Sequence, residues 1–150
     1  MQLPRYHRLR HSFYRLEGTH CSACERNYFP PRKVCPSCRA GDLESRELQG
    51  SGTLYSYTRM SQSMRGFANL GPSTVGMVQL DDGPLIMTQL TDVEGVDLHI
   101  GMPVEMVTRK IRESSEHGYI VYGYKFRPVL STAARVPAEQ DTAGTPVSAG

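Results

Sequence analysis

The sequence predicts a mainly β protein, a small cysteine-pinned ribbon followed by an antiparallel barrel, and three observations carry that expectation. All four cysteines of the chain fall into two Cys-x-x-Cys pairs, Cys21/Cys24 and Cys35/Cys38, with ten residues between the pairs. Five short stretches between Gly52 and Pro128 are rich in Val, Ile, Thr, Tyr and Met and are bounded by Gly, Pro or Asp, which is the pattern of strands and turns. Ahead of the cysteines, Tyr6, Leu9, Phe13 and Leu16 are spaced by three, four and three residues, one narrow stripe of a helix.

With 150 residues, 39% of them hydrophobic, the chain can bury one sizeable core beside a small module, which excludes two large domains. No apolar run approaches the roughly 20 residues of a membrane span, and the start MQLPRYHRLRHSFYRL lacks the apolar centre of a secretion signal. The expected setting is cytoplasmic, where thiols stay reduced and clustered cysteine pairs bind metal more often than they oxidise. Net charge is +2 but uneven: residues 1–40 hold eight Arg/Lys against Glu17 and Glu25, a net +6, which leaves the remainder at −4. These cations can meet phosphates or an acidic protein surface, or can simply offset a negative sulfur cluster.

The first element is a helix over residues 1–18, with Pro4 in its first turn and Gly18 as its stop. A short helix ahead of a small module has little core of its own to lie on, so the stripe Tyr6, Leu9, Phe13 and Leu16 is expected to touch a partner chain. His7 and His11 share a face at i, i+4, a spacing that also serves zinc. No carboxylate accompanies them in the pattern, so they read as solvated.

The second element spans residues 19–48. Between the cysteine pairs, ERNYFPPRKV has Pro30 and Pro31 and no helical period, so it reads as a ribbon without a recognition helix. Each pair forms a tight knuckle whose backbone amides bond the sulfurs, and Tyr28 and Phe29 are expected beside the metal. Four thiolates, Cys21, Cys24, Cys35 and Cys38, fill the tetrahedral positions of Zn(II) and leave none open, so the site is structural and folds a segment too small to fold alone. The same ligands can hold iron in a rubredoxin-type centre, which would colour the protein red. With every thiol so used, no cysteine nucleophile remains. His20, His99 and His117 fall in turns or at strand edges, and no Ser or Cys nucleophile signature, Walker A pattern or dinucleotide fingerprint is present, so no catalytic residue is assigned. Gly50-Ser51-Gly52 reads as a strand-entry bend.

Residues 49–130 hold the five strands: GTLYSYTRM, TVGMVQL, PLIMTQL, PVEMVTRKIR and YIVYGYKFRP. Asp82-Gly83 joins the second and third as a hairpin, ESSEHG joins the last two, and the longer loop SQSMRGFANLGPS follows the first. Five strands with this loop pattern fit a small barrel of the OB type better than a β-sandwich. Residues 131–150 have no hydrophobic period and are expected to be a disordered tail.

The order of motifs resembles one family. A basic N-terminal helix, Cys-x-x-Cys, Phe29-Pro30-Pro31-Arg32, Cys-Pro-x-Cys, SGTLYSYT, VQLDDGP, IGMPVEM and a closing KFRP are similar to the zinc-ribbon plus OB-fold proteins that accompany thiolases and related acyl-CoA enzymes. The similarity covers about residues 5–128. One departure is Leu48, where the family often has an aromatic residue before the first barrel strand. The resemblance implies a non-catalytic subunit, carrying zinc on the four cysteines, that joins a thiolase-fold, lipid-transfer-like aldolase or hydroxymethylglutaryl-CoA synthase partner in a two-plus-two assembly and helps complete a channel for CoA or acyl-CoA. Within the family the chain also looks like the small subunits of benzoylsuccinyl-CoA thiolases of anaerobic toluene degradation. Arg65 and Phe67, a cation and an apolar face on the long loop, are the candidates for the CoA-proximal surface.

A module for single-stranded nucleic acid is the other reading, because ribbons and OB barrels both serve that purpose and Tyr55, Tyr57, Tyr122 and Tyr124 could stack bases. Charge argues against it. From Gly50 to Leu130 there are seven Arg/Lys and eight Asp/Glu, where a strand-tracking groove would be plainly positive.

Overall fold

The computed structural model describes residues 3–62, 73–113 and 118–129. Its N-terminus is two short helices, α1 (Leu3–Arg8) and α2 (Arg10–Arg15), meeting at a turn on Leu9. The backbone N–H of Leu9 donates to the Arg5 carbonyl at 3.0 Å, and that of Phe13 to the Leu9 carbonyl at 3.1 Å, so the helical path is nearly continuous. Six-residue helices do not persist alone in water, so packing holds them. The rings of Tyr6 and Phe13 meet at a tilt with centroids 5.7 Å apart, and Phe13 lies over Gly123.

Gly18 is not the helix stop that the sequence predicts. The helix ends at Arg15 because Leu16 takes the left-handed conformation, φ +50°. That backbone costs a non-glycine residue about 1–2 kcal/mol, and full burial of the leucine side chain in the core offsets it by about 2–3 kcal/mol. Gly18 instead sits in a strand, where an added Cβ would collide with the Tyr28 carbonyl oxygen and lie 3.1 Å from the Leu48 side chain.

The ribbon is a three-stranded antiparallel sheet, β1 (Glu17–Cys21), β2 (Arg26–Tyr28) and β3 (Leu43–Glu47), in the order β2-β1-β3. Cys21 is paired with Arg26 on one side and Leu43 on the other.

All five barrel strands form where the sequence predicts them: β4 (Ser51–Met60), β5 (Ser73–Leu80), β6 (Leu85–Leu90), β7 (Pro103–Glu113) and β8 (Ile120–Pro128). The order is β4-β5-β6-β8-β7, closed by β7 on β4, with the one parallel contact at Leu90 and Phe126. This is the five-stranded OB barrel. Gly83, at φ +122°, makes the β5–β6 turn. The core is Leu54, Val78, Leu80, Ile86, Leu90, Val104 and Phe126 from the strands, with Leu98 and Met102 from the β6–β7 connection. Leu16 and Leu48 complete it from outside the barrel, so the chain on either side of the ribbon is anchored in the barrel core. Leu48, just ahead of the first barrel strand, therefore fills the ribbon–barrel junction itself.

Two further contacts close that junction. Phe29 does not pack beside the metal, as its position next to Tyr28 suggests; it meets Tyr124 of β8 edge-on at 5.5 Å, against the barrel core. The Asp82 hairpin tip also reaches the ribbon. Asn27 Nδ2 donates to the Asp82 carbonyl at 2.7 Å, and the Gln49 backbone N–H donates to Asp82 Oδ2 at 2.8 Å.

Candidate metal centre

Each cysteine pair lies on a knuckle that reverses through a left-handed residue just after its second cysteine, Glu25 at φ +54° and Arg39 at φ +62°. The knuckles face each other. Cys21 Sγ lies 3.5 Å from Cys38 Sγ, Cys24 Sγ lies 3.6 Å from Cys35 Sγ, and all four sulfurs fall within 4.8 Å of one another. A tetrahedron with Zn–S bonds of about 2.3 Å has edges of about 3.8 Å. The four sulfurs therefore fit a zinc ion with no open position, and they are too far apart for disulfides, whose bond is about 2.05 Å.

The cluster is enclosed on one side only. Cys21 and Cys35 are buried, Cys24 is half-buried and Cys38 is exposed. The Tyr28 hydroxyl lies 3.3 Å from Cys35 Sγ and 4.0 Å from Cys24 Sγ, and the Cys38 backbone N–H donates to Cys35 Sγ at 3.5 Å. These donors split the thiols. Burial pushes the Cys35 thiol up, but the Cys38 N–H, the Tyr28 hydroxyl and the Ser37 N–H outweigh it and bring Cys35 down to about 5. Cys38 gains from the Ala40 backbone N–H, yet its neighbours Cys35 and Cys21 push it up to about 11. Cys24 is raised by burial and by the same neighbours. Four sulfur charges this close require a cation among them, so loading the site releases protons.

Among the described residues, these cysteines are the one group of His, Cys, Asp or Glu side chains arranged to hold a metal. His7 and His11 do not join it, and His11 Nδ1 lies 3.7 Å from Glu17 Oε2, a carboxylate neighbour the i, i+4 pattern does not reveal. His20 Nδ1 is bonded to Asn27 Oδ1 at 2.8 Å, and His99 Nδ1 to the Asp97 carbonyl at 3.2 Å.

The helix stripe is divided. Leu16 faces the chain's own core, where its spacing alone suggests a partner surface, because the turn at Leu16 carries it under the barrel. Leu9 is 38% exposed. Tyr6 and Phe13 are half-buried and, with Tyr14, Tyr119 and Tyr122, line a cavity of about 370 Å³ between the helices and β8. Arg65 and Phe67 lie outside the described residues, as does the segment 131–150. Of the tyrosines considered for base stacking, Tyr55 and Tyr122 are exposed, Tyr57 donates to the Leu98 carbonyl at 2.8 Å, and Tyr124 is committed to Phe29. Two barrel cations are also engaged, Arg109 with Asp92 at 2.9 Å and Arg127 with Glu105 at 2.7 Å.

A closed four-sulfur ribbon fastened to a five-stranded OB barrel defines the class, a zinc-ribbon/OB-fold protein whose metal site is structural. Residues 14–44 match the ChsH2 rubredoxin-like zinc ribbon domain, and residues 45–109 match the ChsH2 C-terminal OB-fold domain. The chain belongs to this zinc-ribbon/OB-fold family, the DUF35 proteins associated with acyl-CoA enzymes. It is 42% identical over 134 residues to a DUF35 domain-containing scaffold protein of Pyrococcus furiosus, covering 88% of this chain and 96% of that one. A scaffold protein of the same description from Methanocaldococcus jannaschii is 38% identical over 117 residues, covering 77% and 83%. Among solved structures, a chain of the Ltp2-ChsH2(DUF35) aldolase superposes with a TM-score of 0.58 at 28% identity, covering 75% of this chain and 83% of that chain. No helix among the described residues is long and apolar enough to cross a membrane.

Proposed function

We propose that this protein is a non-catalytic accessory subunit of a thiolase-type acyl-CoA enzyme complex, binding the catalytic subunit and helping to form the passage for CoA or acyl-CoA. The observation that carries this reading is the use of every thiol in one closed four-sulfur site. Thiolytic carbon–carbon cleavage needs a free, activated cysteine to accept the acyl group, so that residue must come from another polypeptide. The relatives support it: one is named a scaffold protein, and the solved neighbour is an aldolase assembly that contains a DUF35 protein.

Leu9, with the outer edges of Tyr6 and Phe13, is the helix surface left for the partner. Leu16 drops out of that surface and holds the helix on the barrel. Arg65 and Phe67 belong to the acyl-CoA side of the reading. The motif order extends it to benzoylsuccinyl-CoA in anaerobic toluene degradation, in a two-plus-two cytoplasmic complex.

The test is co-expression with a thiolase-family catalytic subunit. Co-elution, with thiolysis only when both chains are present, is the expected result. Leu9→Asp should weaken co-elution. Thioester turnover by the isolated chain, freed of contaminating enzyme, would overturn the reading.

A further inference from the structure

Tyr28 sits four residues after Cys24 and seven before Cys35, and its hydroxyl is the hub of a chain of side-chain contacts at the rim of the cluster. Arg26 Nη1 donates to Ser37 Oγ at 3.0 Å, and Ser37 Oγ lies 2.9 Å from the Tyr28 hydroxyl, which lies 3.3 Å from Cys35 Sγ. A metal-bound thiolate can only accept, and a guanidinium can only donate. That fixes every direction along the chain: Arg26 N–H to the serine oxygen, serine O–H to the phenol oxygen, phenol O–H to the sulfur. Cys35 also accepts the Cys38 backbone N–H besides the phenol O–H, and the residue is 1% exposed. Cys38 lies at the opposite extreme, the exposed member of the four.

We propose that the Arg26–Ser37–Tyr28 relay makes Cys35 the anchoring ligand of the ribbon and leaves Cys38 as the ligand at which the metal is exchanged. Tyr28 is thus a positioning residue for the metal site. Hydrogen bonds to a ligand atom fix its orientation and share its charge, and losing such an outer partner commonly weakens metal affinity by about 10–100-fold. Accessible sulfurs meet chelators and electrophiles first, whereas enclosed ones are inert. The inference is independent of any acyl-CoA partner, because it concerns only how the ribbon holds its ion.

The experiment uses the full zinc-loaded chain and two variants, Tyr28→Phe and Ser37→Ala. Zinc transfer to a colorimetric chelator is followed while a short pulse of N-ethylmaleimide labels released sulfurs, which are assigned by peptide mass spectrometry. Cys38 is expected to be labelled first and Cys35 last. Tyr28→Phe, which removes one oxygen, is expected to weaken zinc retention by about tenfold, and Ser37→Ala by less. In the cobalt-substituted protein, Tyr28→Phe is expected to shift the sulfur-to-metal charge-transfer band, a change that loss of ribbon packing alone would not give. Equal retention and an unmoved band in Tyr28→Phe, or labelling of Cys35 together with Cys38, would overturn the proposal. Should Tyr28→Phe not fold, the band position in Ser37→Ala and the labelling order in the natural chain decide it.

Discussion

Among the described residues from Glu17 to Glu47, the side chains with no more than 1% exposure are the thiols Cys21 and Cys35; from Ser51 to Pro128 they are Leu54, Val78, Val104 and Phe126. The ribbon and the barrel enclose different chemistry for the same purpose. A short three-stranded sheet cannot remove enough apolar surface from water to outweigh the entropy of ordering it. A barrel can, because each fully enclosed Leu, Val or Phe contributes about 1.5–3 kcal/mol. The ribbon relies instead on one ion, whose apparent binding free energy in small zinc-folded peptides is about 10–16 kcal/mol. Stability in the ribbon is thus concentrated at one point, whereas in the barrel it is spread over many side chains.

The largest expected effect follows from that concentration. Stripping the metal with a strong chelator should abolish protection of the ribbon amides in β1–β3 against hydrogen exchange, while the amides of β4–β8 stay protected. Simultaneous loss of both sets would mean that the regions unfold as one unit and that the contrast is false. Next in size is Phe126→Ala, at the centre of the barrel core, which should cost about 3–5 kcal/mol in denaturant unfolding. Below the unfolding transition its zinc retention should be unchanged, because no metal contact is touched.

The same contrast explains what could be read in the sequence. The barrel strands are legible because runs rich in β-branched, aromatic and other apolar residues stand between turn residues; in β6 alternation would not have found them, since exposed Leu85 and Met87 alternate with buried Ile86 and Thr88. The cysteines are legible because ligand spacing is local. β3 is not, since four of its five residues are exposed and it is ordered only by pairing with β1. Periodicity identifies the helix stripe but cannot say whose core receives it, and so Leu16 reads as a partner contact although it enters the chain's own barrel. Phe29 and Tyr124 are separated by most of the chain, and nothing local to Phe29 distinguishes packing on the metal from packing on β8. Asp82 has two roles, one visible as a turn residue and the other visible only where Asn27 arrives from a segment 55 residues away.

The junction is where the two kinds of stability meet, and smaller substitutions there sharpen the comparison. Gly18→Ala places a methyl against the Tyr28 carbonyl and the Leu48 side chain, backbone on one side and core on the other. Overpacking of this kind costs about 1–3 kcal/mol. Because Tyr28 also touches Cys35, this variant should lower both the unfolding midpoint and zinc retention, an outcome that neither Phe126→Ala nor a ribbon-surface change would give.

The smallest expected effect is that of Asp82→Ala. The substitution keeps the backbone carbonyl that receives Asn27 but removes the carboxylate oxygen that receives the Gln49 N–H. The loss should be about 1 kcal/mol, the ordinary net value of one hydrogen bond, because the exposed Gln49 amide can turn to water. Asn27→Ala removes the other bond and also releases His20, so it should cost at least as much. If the hairpin tip is a true clasp, the double variant should lose less than the sum of the two, since either loss alone already loosens the tip from the ribbon. Strict additivity in the double-mutant cycle would show instead that the two contacts act separately rather than as one clasp.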